Sequence, residues 1–121
     1  MALPEWPPGV SRGLATSVRE RRPAPAFRGE QLPFATLARL LQQTNGVTGA
    51  FGSGAGATRL RAAPSAGALY AGEVYVVAER VANLSPGLYY YDVLERALVR
   101  LREGHLLGEV AQAVEEPSRL G

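Results

Sequence analysis

The sequence predicts an α+β domain in which helices pack on a small, mainly antiparallel sheet. Three observations carry that reading. Phe34, Leu37, Ala38 and Leu41 recur at helical spacing. Residues 74–78 form a continuous apolar run, and residues 88–92 and 98–102 follow in strand-like patterns. Asn45-Gly46, Ser85-Pro86-Gly87 and Pro117 punctuate these stretches as stops and turns.

Composition narrows the possibilities before any motif does. A chain of 121 residues makes one domain at most, with little core to spare. Its 46% apolar and 20% charged residues are those of an ordinary soluble globular protein, and no stretch is long and apolar enough to span a bilayer. The opening Met-Ala-Leu-Pro-Glu-Trp-Pro-Pro lacks the basic and apolar regions of a secretory signal. With no cysteine there is no disulfide, no thiolate metal site and no cysteine nucleophile. A cytoplasmic setting with no membrane partner is the expectation. All 13 basic residues are arginine, the net charge is only +2, and the arginines are scattered, so no nucleic-acid partner is expected. Without lysine the chain has no Schiff-base or lysine general-base chemistry of its own.

Residues 1–10 read as a proline-rich extended arm, either solvated or laid across a partner subunit through Trp6. Residues 11–121 read as the folded part. Ser11 is a plausible N-cap for a helix to Arg22, with Leu14 and Val18 on one face and Pro23 enforcing the stop. Arg21 and Arg22 then sit at a helix C-terminus, where compensation of the helix dipole is the simplest use for them. Residues 34–44 form the second helix, its stripe widened by Leu40. Leu32 is placed to staple its start, and Asn45-Gly46 to supply a left-handed stop. Residues 47–58 are glycine-rich and read as a connector; no Gly-Lys-Ser/Thr follows, so a phosphate loop is not supported.

Residues 73–80 are expected to be a central strand covered on both faces. After a turn at Ser85-Pro86-Gly87, residues 88–92 place Tyr89 and Tyr91 on one face and Tyr90 on the other. Residues 98–102 complete a hairpin across 93–97. A last helix over 106–114 carries Leu106, Leu107, Val110 and Val114 on one side. Three strands leave much edge and face uncovered, which points to completion by further protein. The stretch Arg61-Ala62-Ala63-Pro64-Ser65-Ala66-Gly67-Ala68-Leu69-Tyr70 stands out as a functional candidate. Its small side chains let a flat ligand approach backbone N–H groups, and the Ser65 hydroxyl can donate or accept.

These segments together resemble the nitroreductase superfamily, and within it the SagB-type dehydrogenase branch. The resemblance rests on a helix ending in Arg21-Arg22 with Phe27 downstream, and on a leucine-rich helix ending in Asn-Gly. It rests further on Arg-x-x-Pro-Ser-x-Gly-Ala-Leu-Tyr leading into Glu-Val-Tyr-Val-Val. The Pro-Gly-Leu-Tyr-Tyr-Tyr-Asp and Ala-Leu-Val-Arg-Leu-Arg-Glu-Gly hairpin completes it. The resemblance implies the N-terminal half of an FMN-dependent oxidoreductase fold, completed by a homo-oligomer partner or by a second chain supplying the other half. It implies hydride transfer through the flavin N5, with azoline dehydrogenation in a modified peptide or NAD(P)H-dependent reduction of a small molecule as the reaction. Carried over by position, Arg21 and Arg22 are candidates for the FMN phosphate, since a guanidinium pairs phosphate oxygens bidentately. Pro64, Ser65, Gly67 and Ala68 are candidates for the isoalloxazine edge. Arg61 is a candidate for the phosphate or the pyrimidine end, with a surface salt bridge as its alternative.

The sequence departs from the family pattern at three places: Pro23 stands for a serine, Pro25 for an arginine and Ala71 for a proline. The lysine–tyrosine pair of azoline oxidases has no counterpart, so no catalytic residue is assigned. His105 reads as a capping or solvated residue. The alternative function is a flavin-free peptide-binding or assembly module derived from the same fold. An unrelated α+β domain would leave the Arg61–Tyr70 turn remote from any cleft.

Overall fold

The computed structural model describes residues 1–4, 12–23, 26 and 29–115. In chain order the elements are α1 (Leu14–Glu20), α2 (Phe34–Asn45), β1 (Val47–Phe51) and β2 (Thr58–Arg61). There follow β3 (Tyr75–Ala78), β4 (Gly87–Asp92), β5 (Ala97–Glu103) and α3 (Leu107–Glu115). Strands β3-β4-β5 form one antiparallel sheet with β4 at its centre, and β1 and β2 form a separate hairpin. The expectations for Trp6, Pro25, Phe27, the Val114 side chain and Pro117 lie outside the described residues, whereas the N-cap expected of Ser11 falls to Gly13, because α1 starts only at Leu14.

The core forms where the helical stripe meets the strand alternation. Leu37, Ala38 and Leu41 of α2 pack with Ala78, Tyr89, Tyr91, Val93 and Leu98. Tyr89 and Tyr91 point into it and Tyr90 to the other face, as the strand period requires. Tyr75 and Tyr90 are register partners on that outer face, with ring centroids 5.6 Å apart. The β4–β5 turn is held by Asp92, whose Oδ1 accepts the N–H groups of Leu94 and Glu95 at 3.1 and 3.0 Å. Leu3 joins the core from the N-terminal residues, its N–H donating to the Arg96 carbonyl at 2.8 Å beside the start of β5.

Several expectations are corrected. Residues 47–58 are not a loop: Val47–Phe51 pairs antiparallel with β2, from Val47 opposite Arg61 to Phe51 opposite Thr58. Four of the five β1 residues are exposed, so the hairpin carries none of the alternation that marks a half-buried strand. The apolar run of β3 belongs to an edge strand, with Tyr75 exposed and Ala78 buried. Its far end is covered by Leu32, which forms a parallel bridge with Val81 and donates its N–H to the Arg80 carbonyl at 2.8 Å. The turn before β4 centres on Ala82 and Asn83, with Asn83 at φ 62, rather than on Ser85-Pro86-Gly87.

Gly46 does not adopt a left-handed stop. It is extended at φ −68 and ψ 162, turning the chain straight into β1. Glycine is needed there for space, because a Cβ would lie 2.4 Å from the Gln42 carbonyl oxygen. Leu40 is exposed and does not widen the buried stripe. Helix α1 buries no residue, with Leu14 80% and Val18 68% exposed. Leu107 and Val110 of α3 are exposed as well, and Val99 and Leu101 leave apolar surface on β5. Among the described residues no helix is long and apolar enough to cross a membrane.

Candidate functional site

The Arg61–Tyr70 turn is a closed, internally bonded structure. β2 delivers Arg61, and the Ala62 N–H donates to the Gly46 carbonyl at 2.9 Å, fixing the turn to the end of α2. A short 3-10 turn follows at Ala66–Ala68. Gly67, Ala68 and Tyr70 all take left-handed backbone angles, at φ 62, 53 and 48. The left-handed region is unfavourable for the two that are not glycine, so other bonds must hold them. The Ser65 Oγ accepts the Tyr70 N–H at 2.8 Å, and the Tyr70 Oη accepts the Arg61 N–H at 2.9 Å. The Arg61 guanidinium stacks over the Tyr70 ring, 5.2 Å from its centroid.

This turn forms one wall of a cleft of about 230 Å³. Ala63, Pro64, Ser65 and Tyr70 line it from the turn; Gly72, Glu73 and Val74 line it from the approach to β3; Asn45 lines it from the end of α2. Pro64 and Ser65 are therefore brought to the cleft, whereas Gly67 and Ala68 shape the turn without lining it. Arg61 stands behind the wall. Its Nη1 is buried with no hydrogen-bond partner among the described residues, as is the Tyr91 hydroxyl. Burial pushes the Tyr91 hydroxyl's pKa up, against the opposing pull of the Arg96 and Arg61 charges. On the cleft side, Glu73 accepts a hydrogen bond from the Tyr90 hydroxyl at 3.0 Å, and this bond raises the Tyr90 pKa.

Arg21 and Arg22 lie at the end of α1, as the sequence predicts, and both are exposed. Arg22 Nη1 donates to the carbonyls of Arg19 and Arg21 at 2.9 Å each, closing the helix's own C-terminus. Among the described residues no hydrogen bond or ion pair joins either arginine to the turn, and neither lines the cleft. Asn45 is the cleft residue that the sequence does not announce. Its place before Gly46 marks a helix stop, but it is only 7% exposed, and nothing in the local sequence signals that burial.

His105 lies apart from the cleft. Its Nδ1 is 2.6 Å from Glu79 Oε2, while Glu79 Oε1 accepts the Leu107 N–H at 3.0 Å at the start of α3. The His105 bond, then the Leu107 N–H, hold the Glu79 carboxyl below its ordinary value of 4.5. A lowered folded-state pKa adds stability above the unfolded value and loses it as pH falls through the folded one. The docking of α3 is thus expected to weaken as pH drops below 4.5, seen as loss of helical chemical shifts over residues 107–115. Glu79→Gln should reduce that pH dependence to the part carried by Glu109 of α3, whose carboxyl is likewise held low by Arg102.

Helices packed on small antiparallel sheets make this an α+β fold, and comparison with solved structures marks it as nitroreductase-like. No protein-family model matches the chain, and no curated protein matches it. Among solved structures it is similar to one from Anabaena variabilis described as a "putative nitroreductase", with a TM-score of 0.60 and 40% identity over 66% of this chain. This chain spans only 16% of that protein's length.

Proposed function

We propose that this chain supplies the ring-binding shelf of an FMN-dependent oxidoreductase. The observation that carries the reading is the Arg61–Tyr70 turn, bonded into one conformation and forming the wall of a cleft. The likeness to the Anabaena structure supports the same class. The turn's residues fit the ring portion of FMN. Pro64 and Ala63 offer small, flat surface, and the Ser65 O–H is left to donate because its oxygen already accepts from Tyr70. The orphaned Arg61 Nη1 provides positive charge behind the turn for the electron-rich pyrimidine end. Arg21, whose side chain makes no hydrogen bond or ion pair among the described residues, is the phosphate candidate. Arg22 joins it only by giving up its two carbonyl bonds.

When bound, the flavin supplies hydride transfer through its N5. This chain's residues orient the ring, while the bonded turn costs no reorganisation on binding. The substrate is a modified peptide carrying an azoline ring in the SagB-type form of the proposal, or a small electron acceptor reduced with NAD(P)H. The rest of the unit, in the same protein or a second chain, covers the exposed apolar faces of α1 and α3. A homo-oligomer and a cytoplasmic setting belong to the same proposal.

The test is flavin uptake by the purified protein in its natural complex. The expected result is an oxidised-flavin absorbance band, with stoichiometric binding when FMN is added to stripped protein. A colourless protein that takes up no FMN would favour the second reading, a flavin-free peptide-binding or assembly module. That reading draws on Arg22 being engaged by its own helix and on Pro23 lacking a backbone donor.

A further inference from the structure

We propose that the cavity between the end of α2 and the β4–β5 turn binds a small carboxylate monoanion, held by the Tyr91 hydroxyl and the Arg96 guanidinium. This site is separate from the Arg61–Tyr70 cleft and does not rest on the flavin reading. The cavity has a volume of about 170 Å³ and is lined by Gln42, Gly46, Val47, Tyr91 and Arg96. Tyr91 reaches it from the inward face of β4 and has no exposed surface. Its hydroxyl is buried with no hydrogen-bond partner among the described residues, a state costly enough that such groups are ordinarily paired. Packing alone asks only for the aromatic ring, which a phenylalanine would supply; the hydroxyl is the part left without a use. Arg96 faces the same cavity, and its side chain makes no ion pair or hydrogen bond among the described residues. Its backbone is fixed, with φ at 50 and its carbonyl accepting the Leu3 N–H at 2.8 Å.

The surrounding charges select the ligand. None of the five lining residues is acidic. Arg96 and Arg61 both act on the Tyr91 hydroxyl as positive charges, and Asp92 acts on it as a negative one. One Asp92 oxygen is already taken by the Leu94 and Glu95 N–H groups. The balance is a single positive charge, which suits a monoanion better than a dianion. Burial keeps the Tyr91 hydroxyl protonated, so it donates. A guanidinium offers two parallel N–H groups to a planar carboxylate, and the phenol O–H adds a third, charge-assisted bond to one of its oxygens. The helix end forms a wall rather than a grip. Gln42 Nε2 donates to the Pro4 carbonyl at 3.3 Å, and the Gly46 N–H is used by the Gln42 carbonyl at 2.9 Å. The cavity therefore suits a carboxylate on a short stem.

The probe is sodium acetate, titrated into the full chain against sodium chloride at equal ionic strength and followed by backbone amide chemical shifts. The amides of Gly46, Val47, Tyr91 and Arg96 are expected to shift and saturate with acetate and not with chloride. Tyr91→Phe keeps the ring and removes the donor, and Arg96→Gln changes an exposed side chain. Each should weaken acetate binding by about tenfold or more, the loss expected for a hydrogen bond to a charged group. Inorganic phosphate at neutral pH should bind more weakly than acetate. Circular dichroism checks folding; if Tyr91→Phe does not fold, the wild-type response and Arg96→Gln decide. Three results overturn the proposal. One is a wild-type protein with no saturable response to acetate beyond that to chloride, as when water alone fills the cavity. The second is a folded Tyr91→Phe or Arg96→Gln protein that binds acetate as tightly as wild type. The third is phosphate binding more tightly than acetate. FMN uptake is read separately and is unaffected by any of the three.

Discussion

Tyr91→Ala is expected to cost about 3–5 kcal/mol, the range for removing a large buried aromatic. Domains of this size are stable by only about 5–15 kcal/mol, so the variant should be largely unfolded in mild urea. Tyr91 has no exposed surface and sits one residue from the end of the central strand, between Val74, whose carbonyl accepts its N–H at 2.9 Å, and its register partner Leu98. Tyr91→Phe should behave oppositely. The hydroxyl is buried without a partner among the described residues, and such a group costs about 1–3 kcal/mol. Removing it should leave stability unchanged or raise it by about 1 kcal/mol, read from urea midpoints at constant m-value. A clear loss in Tyr91→Phe would mean that the hydroxyl has a ligand, such as an internal water bridging toward Arg61.

That the two Tyr91 variants should diverge reflects what the sequence does and does not encode. That Tyr89 and Tyr91 share a face of β4 follows from strand period alone; that this face is the core is seen only in the packing. The α2 stripe is legible for the same reason, except at Leu40, which sits beyond the packed face. The β1–β2 hairpin is not legible. Glycines interrupt it, most of its side chains face solvent, and its pairing is backbone apart from the Thr48 hydroxyl on the Leu60 carbonyl at 3.4 Å. The continuous apolar run of β3 misleads because a strand can be apolar on both faces yet still have no neighbour on one edge. At the candidate site, the small-residue turn is readable from composition. Asn45 is not, because it meets the turn and Glu73 and Val74 across the cleft, residues distant from it in the chain. Arg21 and Arg22 fall on the helix end that Pro23 predicts, where Arg22 takes the dipole-compensating geometry that its position favours.

Ser65→Ala is the second large effect, and it should fall on binding rather than on folding. Ser65 accepts the Tyr70 N–H at 2.8 Å, and Tyr70 sits at φ 48, a backbone state costing about 1–2 kcal/mol for a residue with a side chain. Without that acceptor, Tyr70 can relax toward right-handed angles. Its hydroxyl then leaves the Arg61 N–H, now bonded at 2.9 Å, and the cleft wall opens. The turn contributes nothing to the buried core, so the loss in global stability should stay near 1 kcal/mol. Flavin affinity should fall by about tenfold or more, because both a direct donor and the ready-made shape are lost. Ser65→Thr keeps the Oγ and should recover much of that affinity, whereas Tyr70→Phe removes only the Arg61 bond and should fall between. Fluorescence titration with FMN, run beside urea unfolding, separates the two effects. A Ser65→Ala protein that binds FMN as tightly as wild type would place the ring somewhere other than on this turn.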